Sequence, residues 1–204
     1  MTRMLIVRHG HTQWNGEGRI QGTTDVALDS QGRAQAAAAA EALRTVRPSV
    51  IYKSDLARAA DTAQAIADVC DVDVRVDKRL RERAYGPWEG LTRTKLKERY
   101  PDEFAAWLAR KPFQLSGIEL PEEVAVRGAA VLTDIADRLG AEDTAIIVGH
   151  GGATRQAIAG FLGWSTSQAE TVRGLGNCRW ADLRHGPPGW RLFGYNLGVT
   201  PNDE

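Results

Sequence analysis

Two segments of this chain, far apart in sequence, read almost alike: Leu5-Ile6-Val7-Arg8-His9-Gly10 and Ile146-Ile147-Val148-Gly149-His150-Gly151-Gly152. Each is a short apolar, β-branched run that stops on His-Gly, the pattern of a buried strand ending at a turn. In open α/β sheets, ligands bind in the crevice beyond the carboxyl ends of the strands. Both histidines therefore fall at the expected edge of a site.

The remaining pattern supports that class. Val50 to Tyr52, Val74 to Val76, Cys178 to Leu183 and Trp190 to Tyr195 read as further strands. Gly32 to Val46, Leu56 to Val69, Glu122 to Leu139 and Ala153 to Leu162 read as helices, with Pro121 suited to a first helical turn. Alternating strands and helices predict an α/β fold. The last two strands are separated only by Arg184 to Gly189, which predicts a hairpin and a mixed sheet, antiparallel near the C-terminus. No repeat or linker divides residues 1–204, so one domain is expected, large enough to bury roughly 70% of its unfolded surface.

Lys plus Arg (26) balances Asp plus Glu (26), so no global field draws the chain to nucleic acid or an anionic membrane. Any anion site must be local. No stretch approaches the ~20 apolar residues of a membrane span, and the chain reads as soluble and cytoplasmic. Cys70 and Cys178 lack any Cys-x-x-Cys spacing and read as two buried free thiols.

Two more strand ends add charge to the same edge. Val50 to Tyr52 leads through Ser54-Asp55 into a helix whose first turn carries Arg58, and a helix N-terminus offers N–H groups and positive dipole to an anion. Val74 to Val76 leads to Leu80-Arg81-Glu82-Arg83. Taken singly, a His after a strand is ordinarily structural and an Arg-Glu run is ordinarily a solvated face. Together, Arg8, His9, Arg58, Glu82 and His150 supply what phosphoryl transfer needs: a nucleophile, cations for the equatorial oxygens and a proton donor for the leaving oxygen.

The chain resembles the histidine phosphatase, or phosphoglycerate-mutase-like, superfamily. The likeness runs through Arg8-His9-Gly10-x-Thr12-x-Trp14-Asn15, Gln21-Gly22, Leu28-x-x-x-Gly32-x-x-Gln35-Ala36 and Ser54-Asp55-Leu56-x-Arg58-Ala59-x-x-Thr62-Ala63. It continues through Leu80-x-Glu82, Gly86-x-Trp88-Glu89-Gly90-Leu91 and Val148-x-His150-Gly151-Gly152. The resemblance implies a three-layer α/β/α sandwich with a mixed, mostly parallel sheet. It implies a phosphomonoesterase with His9 as nucleophile, Arg8, Arg58 and His150 as phosphate pocket, and Glu82 as proton donor and then base. Asn15, Gln21, Gly22 and the Gly151 N–H would add phosphate contacts. On this reading, His9 is neutral, with its second ring nitrogen donating to a backbone carbonyl, and His150 is protonated. Arg81 and Arg83 favour the ionised form of Glu82 and burial opposes it. No metal or cofactor is expected, and the partner is a small phosphate ester; a homodimer is left open.

Other chemistries were weighed. His9-x-His11 could open a metal site, but four histidines are few for one, and amidohydrolase barrels need about 250 residues. No Walker segment or dinucleotide loop is present. A phosphate binder without turnover would be expected to have lost one of His9, Arg58, Glu82 and His150, and all four are present. Against a cofactor-dependent mutase, Thr92 to Ser116 is short and has no adjacent Arg pair. That segment carries Arg93, Lys95, Lys97, Arg99, Arg110 and Lys111 around Phe104 and Trp107. It reads either as a lid for a second anionic group or as a solvated amphipathic helix with aromatic feet. Two departures stand out: His11, where the family usually has Glu or Gln, and Gly117-Ile118-Glu119-Leu120, where it commonly has Gly-Gly-Glu-Ser. The tail Gly174-Leu175-Gly176-Asn177-Cys178 with Trp180 is similar to that of actinobacterial glucosyl-3-phosphoglycerate phosphatases.

Overall fold

The computed structural model describes residues 1–199. Strand β1 (Arg3–Arg8) is followed by a single turn, α1 (Gln13–Gly16), and by α2 (Ser30–Leu43). Then come β2 (Val50–Lys53), α3 (Ala57–Cys70) and β3 (Val74–Val76). The short helices α4 (Arg93–Arg99) and α5 (Pro101–Leu108) precede α6 (Pro121–Ala136). Strand β4 (Thr144–Gly149), α7 (Gly151–Phe161), α8 (Thr166–Ala169), β5 (Trp180–Gly186) and β6 (Gly189–Leu197) complete the order.

The sheet runs β3-β2-β4-β1-β5-β6. β1, β2, β3 and β4 pair in parallel, while β5 runs antiparallel to β1, and β6 to β5. Side chains alternate across it, as strand geometry requires. Met4, Ile6, Tyr52, Ala145 and Ile147 pack under Val131, Leu132 and Ile135 of α6 and Ile158 of α7. Leu5, Val7, Ile51, Ile146 and Val148 pack under Ala40 and Leu43 of α2 and Ala59, Ala63 and Ile66 of α3. Both faces are covered, which explains why β1 and β4 read as unbroken apolar runs. The three-layer α/β/α arrangement matches the expectation.

Element boundaries differ where caps decide them. α2 begins at Ser30 because the Asp29 carboxylate caps the Gly32 N–H at 2.8 Å. The hairpin is tighter than expected: strands run to Gly186 and from Gly189, leaving Pro187-Pro188 as the whole loop. β5 starts at Trp180, because Cys178 takes a left-handed φ of 53°. Only Cys178 is buried; Cys70 is partly exposed, which corrects the expectation of two buried thiols. Among the described residues no helix is long and apolar enough to cross a membrane.

Candidate active site

β1 and β4 are neighbours in register, with Arg8 opposite Gly149. The next residue on each is a histidine, and the His9 N–H donates to the Gly149 carbonyl at 3.0 Å. Their ring centroids lie 5.2 Å apart. The two similar segments thus place their histidines side by side at the carboxyl end of the central strand pair. Both side chains are buried. Burial, then the Arg8 and Arg58 charges, hold His9 well below the usual imidazole range. His9 is therefore neutral, and its Nδ1 lies 2.7 Å from the Gly10 carbonyl, where only Nδ1–H can form the bond. The Nε2 lone pair is left for attack, as expected.

Gly10 is needed for a close approach: a Cβ there would lie 2.5 Å from the Gly32 carbonyl oxygen of α2. The Gly10 N–H donates to Thr62 Oγ1 at 3.0 Å, and that hydroxyl donates to the Arg58 carbonyl at 2.7 Å. The His9-Gly10 turn is thereby tied to the start of α3.

Arg58 is fully buried in the first turn of α3. Its Nη1 donates to the Thr24 carbonyl at 2.8 Å and its Nη2 to the Gly22 carbonyl at 2.7 Å. Arg8 Nη1 donates to the Leu175 carbonyl at 2.6 Å. Burial lowers the pKa of both from the ordinary arginine value, yet a guanidinium stays charged. Arg8 Nε, Arg58 Nε and both ring nitrogens of His150 are buried with no hydrogen-bond partner among the described residues. Buried donors without partners are rare; Trp88 Nε1 and Arg155 Nε are two more, while Arg8 and Arg58 act electrostatically on His9 and His150 lies beside it.

The expectation of a protonated His150 concerns the phosphate-bound pocket. Burial first, then His9, Arg58 and Arg8, push it well below the ordinary value, so it is a neutral imidazole before any anion arrives. Gln21 Oε1 is also unpaired, but as an acceptor; Gln21 can donate to phosphate after a turn of its terminal amide, a soft torsion. Gly22 contributes its carbonyl to Arg58 at φ +54°, a conformation suited to glycine. Gly151 opens α7 beside Arg8: a Cβ on it would lie 3.3 Å from Arg8 Nε.

Glu82 sits at the amino end of α7. Its Oε1 accepts from the N–H groups of Arg83 and Ala153, both at 2.8 Å, and its Oε2 from Gly152 at 3.0 Å. The flanking arginines look elsewhere, contrary to expectation. Arg81 forms a bidentate pair with Asp55 at 2.7 and 2.6 Å. Arg83 donates to the Glu119 carbonyl at 2.6 Å and lies over the Tyr85 ring. The segment is instead clamped by Arg127, which donates to the carbonyls of Arg79, Arg81 and Glu82 and pairs with Glu119.

Several contributors escaped sequence reasoning. Arg127 carries no local signal, and Glu119 stands out only within the Gly117-Ile118-Glu119-Leu120 departure. Glu89 accepts from the N–H and hydroxyl groups of Thr23 and Thr24 and from the Tyr85 N–H. Burial acts to raise its pKa, but these bonds hold it below the ordinary range. It ties the Gln21–Thr24 loop to the turn after Glu82. The Tyr85 hydroxyl, beside Glu82, is pushed up to about 12 by burial and that carboxylate. His11 lies in none of this: its Nδ1 is 2.6 Å from Asp29 Oδ2, and no metal-binding group of acidic, His or Cys residues occurs among the described residues.

A cavity of about 420 Å³ opens beside Glu82, walled by Thr23, Lys78, Arg81 and Ile118 and by the Glu119, Glu123 and Arg127 group. Ile118, one of the departures, forms a β-bridge with Tyr85 and makes part of this wall. At Leu120, where Ser would cap α6, the backbone N–H is met by Glu123 at 2.7 Å instead. In the segment after Glu82, Leu96 and Phe104 pack on fully buried Trp88, with Tyr100, Trp107 and Phe113 around them. Arg93, Lys95, Lys97, Arg99, Arg110 and Lys111 are exposed, with Arg93 over the Trp107 ring and Arg110 Nη1 3.4 Å from Glu170. The aromatic feet are present.

A family model described as "Histidine phosphatase superfamily (branch 1)" matches residues 4–198. Over 97% of this chain and 95% of the relative, 33% of residues are identical to a glucosyl-3-phosphoglycerate phosphatase of Mycolicibacterium vanbaalenii. A metal-independent phosphoserine phosphatase of Arabidopsis thaliana is 36% identical over 76% of this chain and 66% of its own. A mycobacterial glucosyl-3-phosphoglycerate phosphatase solved with VO3 superposes with a TM-score of 0.89 at 33% identity, covering 96% of this chain and 99% of that one.

Proposed function

Because the chain belongs to the histidine phosphatase superfamily, branch 1, we propose that it is a metal-independent phosphomonoesterase that works through a phosphohistidine on His9. The observation that carries this reading is the set of buried, unpaired donors on Arg8, Arg58 and His150 around a neutral His9 whose Nδ1 is fixed. A phosphoryl group fits that chemistry, having oxygens to accept each donor and an electrophile for Nε2.

The first step forms a bond from His9 Nε2 to phosphorus and breaks the ester P–O bond, as the Glu82 carboxyl gives its proton to the departing oxygen. In the second, water attacks phosphorus, the P–N bond breaks, and the water proton returns to Glu82. General acid–base help supplies only ~10²–10⁴-fold. The uncatalysed reaction needs up to ~10²¹-fold, so positioning and fixed positive groups carry most of the load. Arg8 and Arg58 are thus as central as His9. Asn15, Gln21 and the Gly151 N–H complete the phosphate shell.

The leaving alcohol occupies the cavity beyond Glu82. A glycosylated phosphoglycerate is the substrate class that the mycobacterial relatives support. Turnover of para-nitrophenyl phosphate, with protein-bound phosphate trapped on the wild type and absent in His9→Ala, tests the mechanism. Full activity in that variant would overturn it. A panel of phosphate monoesters, including glucosyl-3-phosphoglycerate, phosphoglycerate and phosphoserine, tests the substrate, and a flat profile rejects the assignment.

A further inference from the structure

The loop before β5 reaches back across the sheet to the nucleophile. Leu175 supplies the carbonyl for Arg8 Nη1, and the Cys178 N–H donates to the Arg8 carbonyl at 3.1 Å. Between them, Asn177 Nδ2 donates to the His9 carbonyl at 3.0 Å and to Asn15 Oδ1 at 3.4 Å. The loop is itself anchored: the Gly176 N–H donates to Asn196 Oδ1 at 2.9 Å, at the end of β6.

The contact with Asn15 has a directional consequence. Asn15 Oδ1 also accepts from the Thr12 N–H and hydroxyl, both at 3.1 Å. With three donors on one end, the amide cannot turn over without leaving donors to face each other, so the NH₂ end is held on the opposite side. Asn15 Nδ2 has no protein acceptor among the described residues. From the Thr12 N–H and hydroxyl alone the orientation would be set by one flexible hydroxyl and one backbone donor. Asn177 adds a donor that cannot become an acceptor at that atom.

We propose that Asn177 is a positioning residue: one amide NH₂ fixes the backbone of His9 and orients Asn15 so that its Nδ2 faces the phosphoryl oxygens. The proposal rests on the phosphatase reading above, and it adds a residue more than 160 positions away from the two that it places.

Asn177→Asp keeps the shape and replaces the donor by an acceptor, which drives the Asn15 amide to turn its NH₂ toward residue 177. Losing an ordered hydrogen bond on this scale is worth a factor of about ten. The probe is inorganic phosphate as a competitive inhibitor of para-nitrophenyl phosphate hydrolysis. The inhibition constant is expected to rise about tenfold in Asn177→Asp, and kcat to fall by a similar factor through His9. In an Asn15→Ala background, Asn177→Asp leaves phosphate affinity unchanged, while the kcat loss persists. A merely structural role would move the melting temperature and weaken phosphate binding by the same factor in both backgrounds; that result overturns the proposal, as does unchanged phosphate affinity in folded Asn177→Asp. Should Asn177→Asp fail to fold, Asn177→Ala removes the donor without adding charge, and the same dependence on Asn15 decides. A wild type without turnover overturns the phosphatase reading instead, and phosphate binding by calorimetry then decides this one.

Discussion

The His9 and His150 turns are the same sentence written twice, on adjacent parallel strands and with rings 5.2 Å apart. Their surroundings differ. His9 spends Nδ1 on the Gly10 carbonyl, whereas His150, capping α7 with its backbone, leaves both ring nitrogens unpaired. A histidine whose tautomer is fixed can offer a lone pair at one known atom; one with no partner can turn either nitrogen into the donor an oxyanion requires. Identical residues at matched positions thus acquire different roles from a single hydrogen bond.

Removing the nucleophile should be the most damaging change. His9→Ala is expected to lower kcat by on the order of 10⁵-fold, judged from nucleophile deletions in other covalent enzymes. Steady-state rates and the loss of phosphoenzyme check it. Glu82 is bound to the His150 side through Gly152 and Ala153, and Glu82→Gln should cost ~10²–10⁴-fold, most for esters with poor leaving groups. Comparing para-nitrophenyl phosphate with an alkyl phosphate reads this out; equal losses on both would remove Glu82 from leaving-group protonation. His150→Ala, as the loss of one transition-state donor, is expected to cost ~10²–10³-fold while phosphoenzyme still forms. If it matches His9→Ala, the distinction between the two histidines collapses.

In one respect the pair should behave alike. Both are buried with pKa values pushed down, so the unfolded chain, with histidines near 6.5, binds more protons than the native one as pH drops. Stability from these groups is intact above about pH 6.5 and is lost below it, by about 1.4 kcal/mol per pH unit per histidine. Thermal melts between pH 7 and 5 should show the decline, and His9→Gln and His150→Gln should each shallow it by one share. Unchanged slopes would mean that the histidines are already protonated in the native state.

The strand-end residues Arg8, His9, Arg58, Glu82 and His150 were legible because each follows a strongly patterned strand, and topology then brings strand ends together. Their partners were not. Arg81 and Arg83 were assigned to Glu82 from adjacency, yet Arg81 has extended backbone, φ −56° and ψ 155°, and neighbours along an extended chain face opposite ways. The depressed pKa of His150 is illegible for a different reason: burial depends on packing by α7 and the adjacent strands, which no local pattern encodes. Asn177 was seen only as part of a family-like tail, because its partners at His9 and Asn15 lie 168 and 162 residues away. The aromatic feet of α4 and α5 were readable from Phe104 and Trp107, but Trp88 as their anchor was not.

The braces that Leu175 and Asn177 place on Arg8 and His9 also set a schedule. During synthesis Arg8 and His9 emerge well before their supports, since the contacts span 167 and 168 residues. The braces therefore depend on β5 being docked beside β1, a pairing of chain segments more than 170 residues apart.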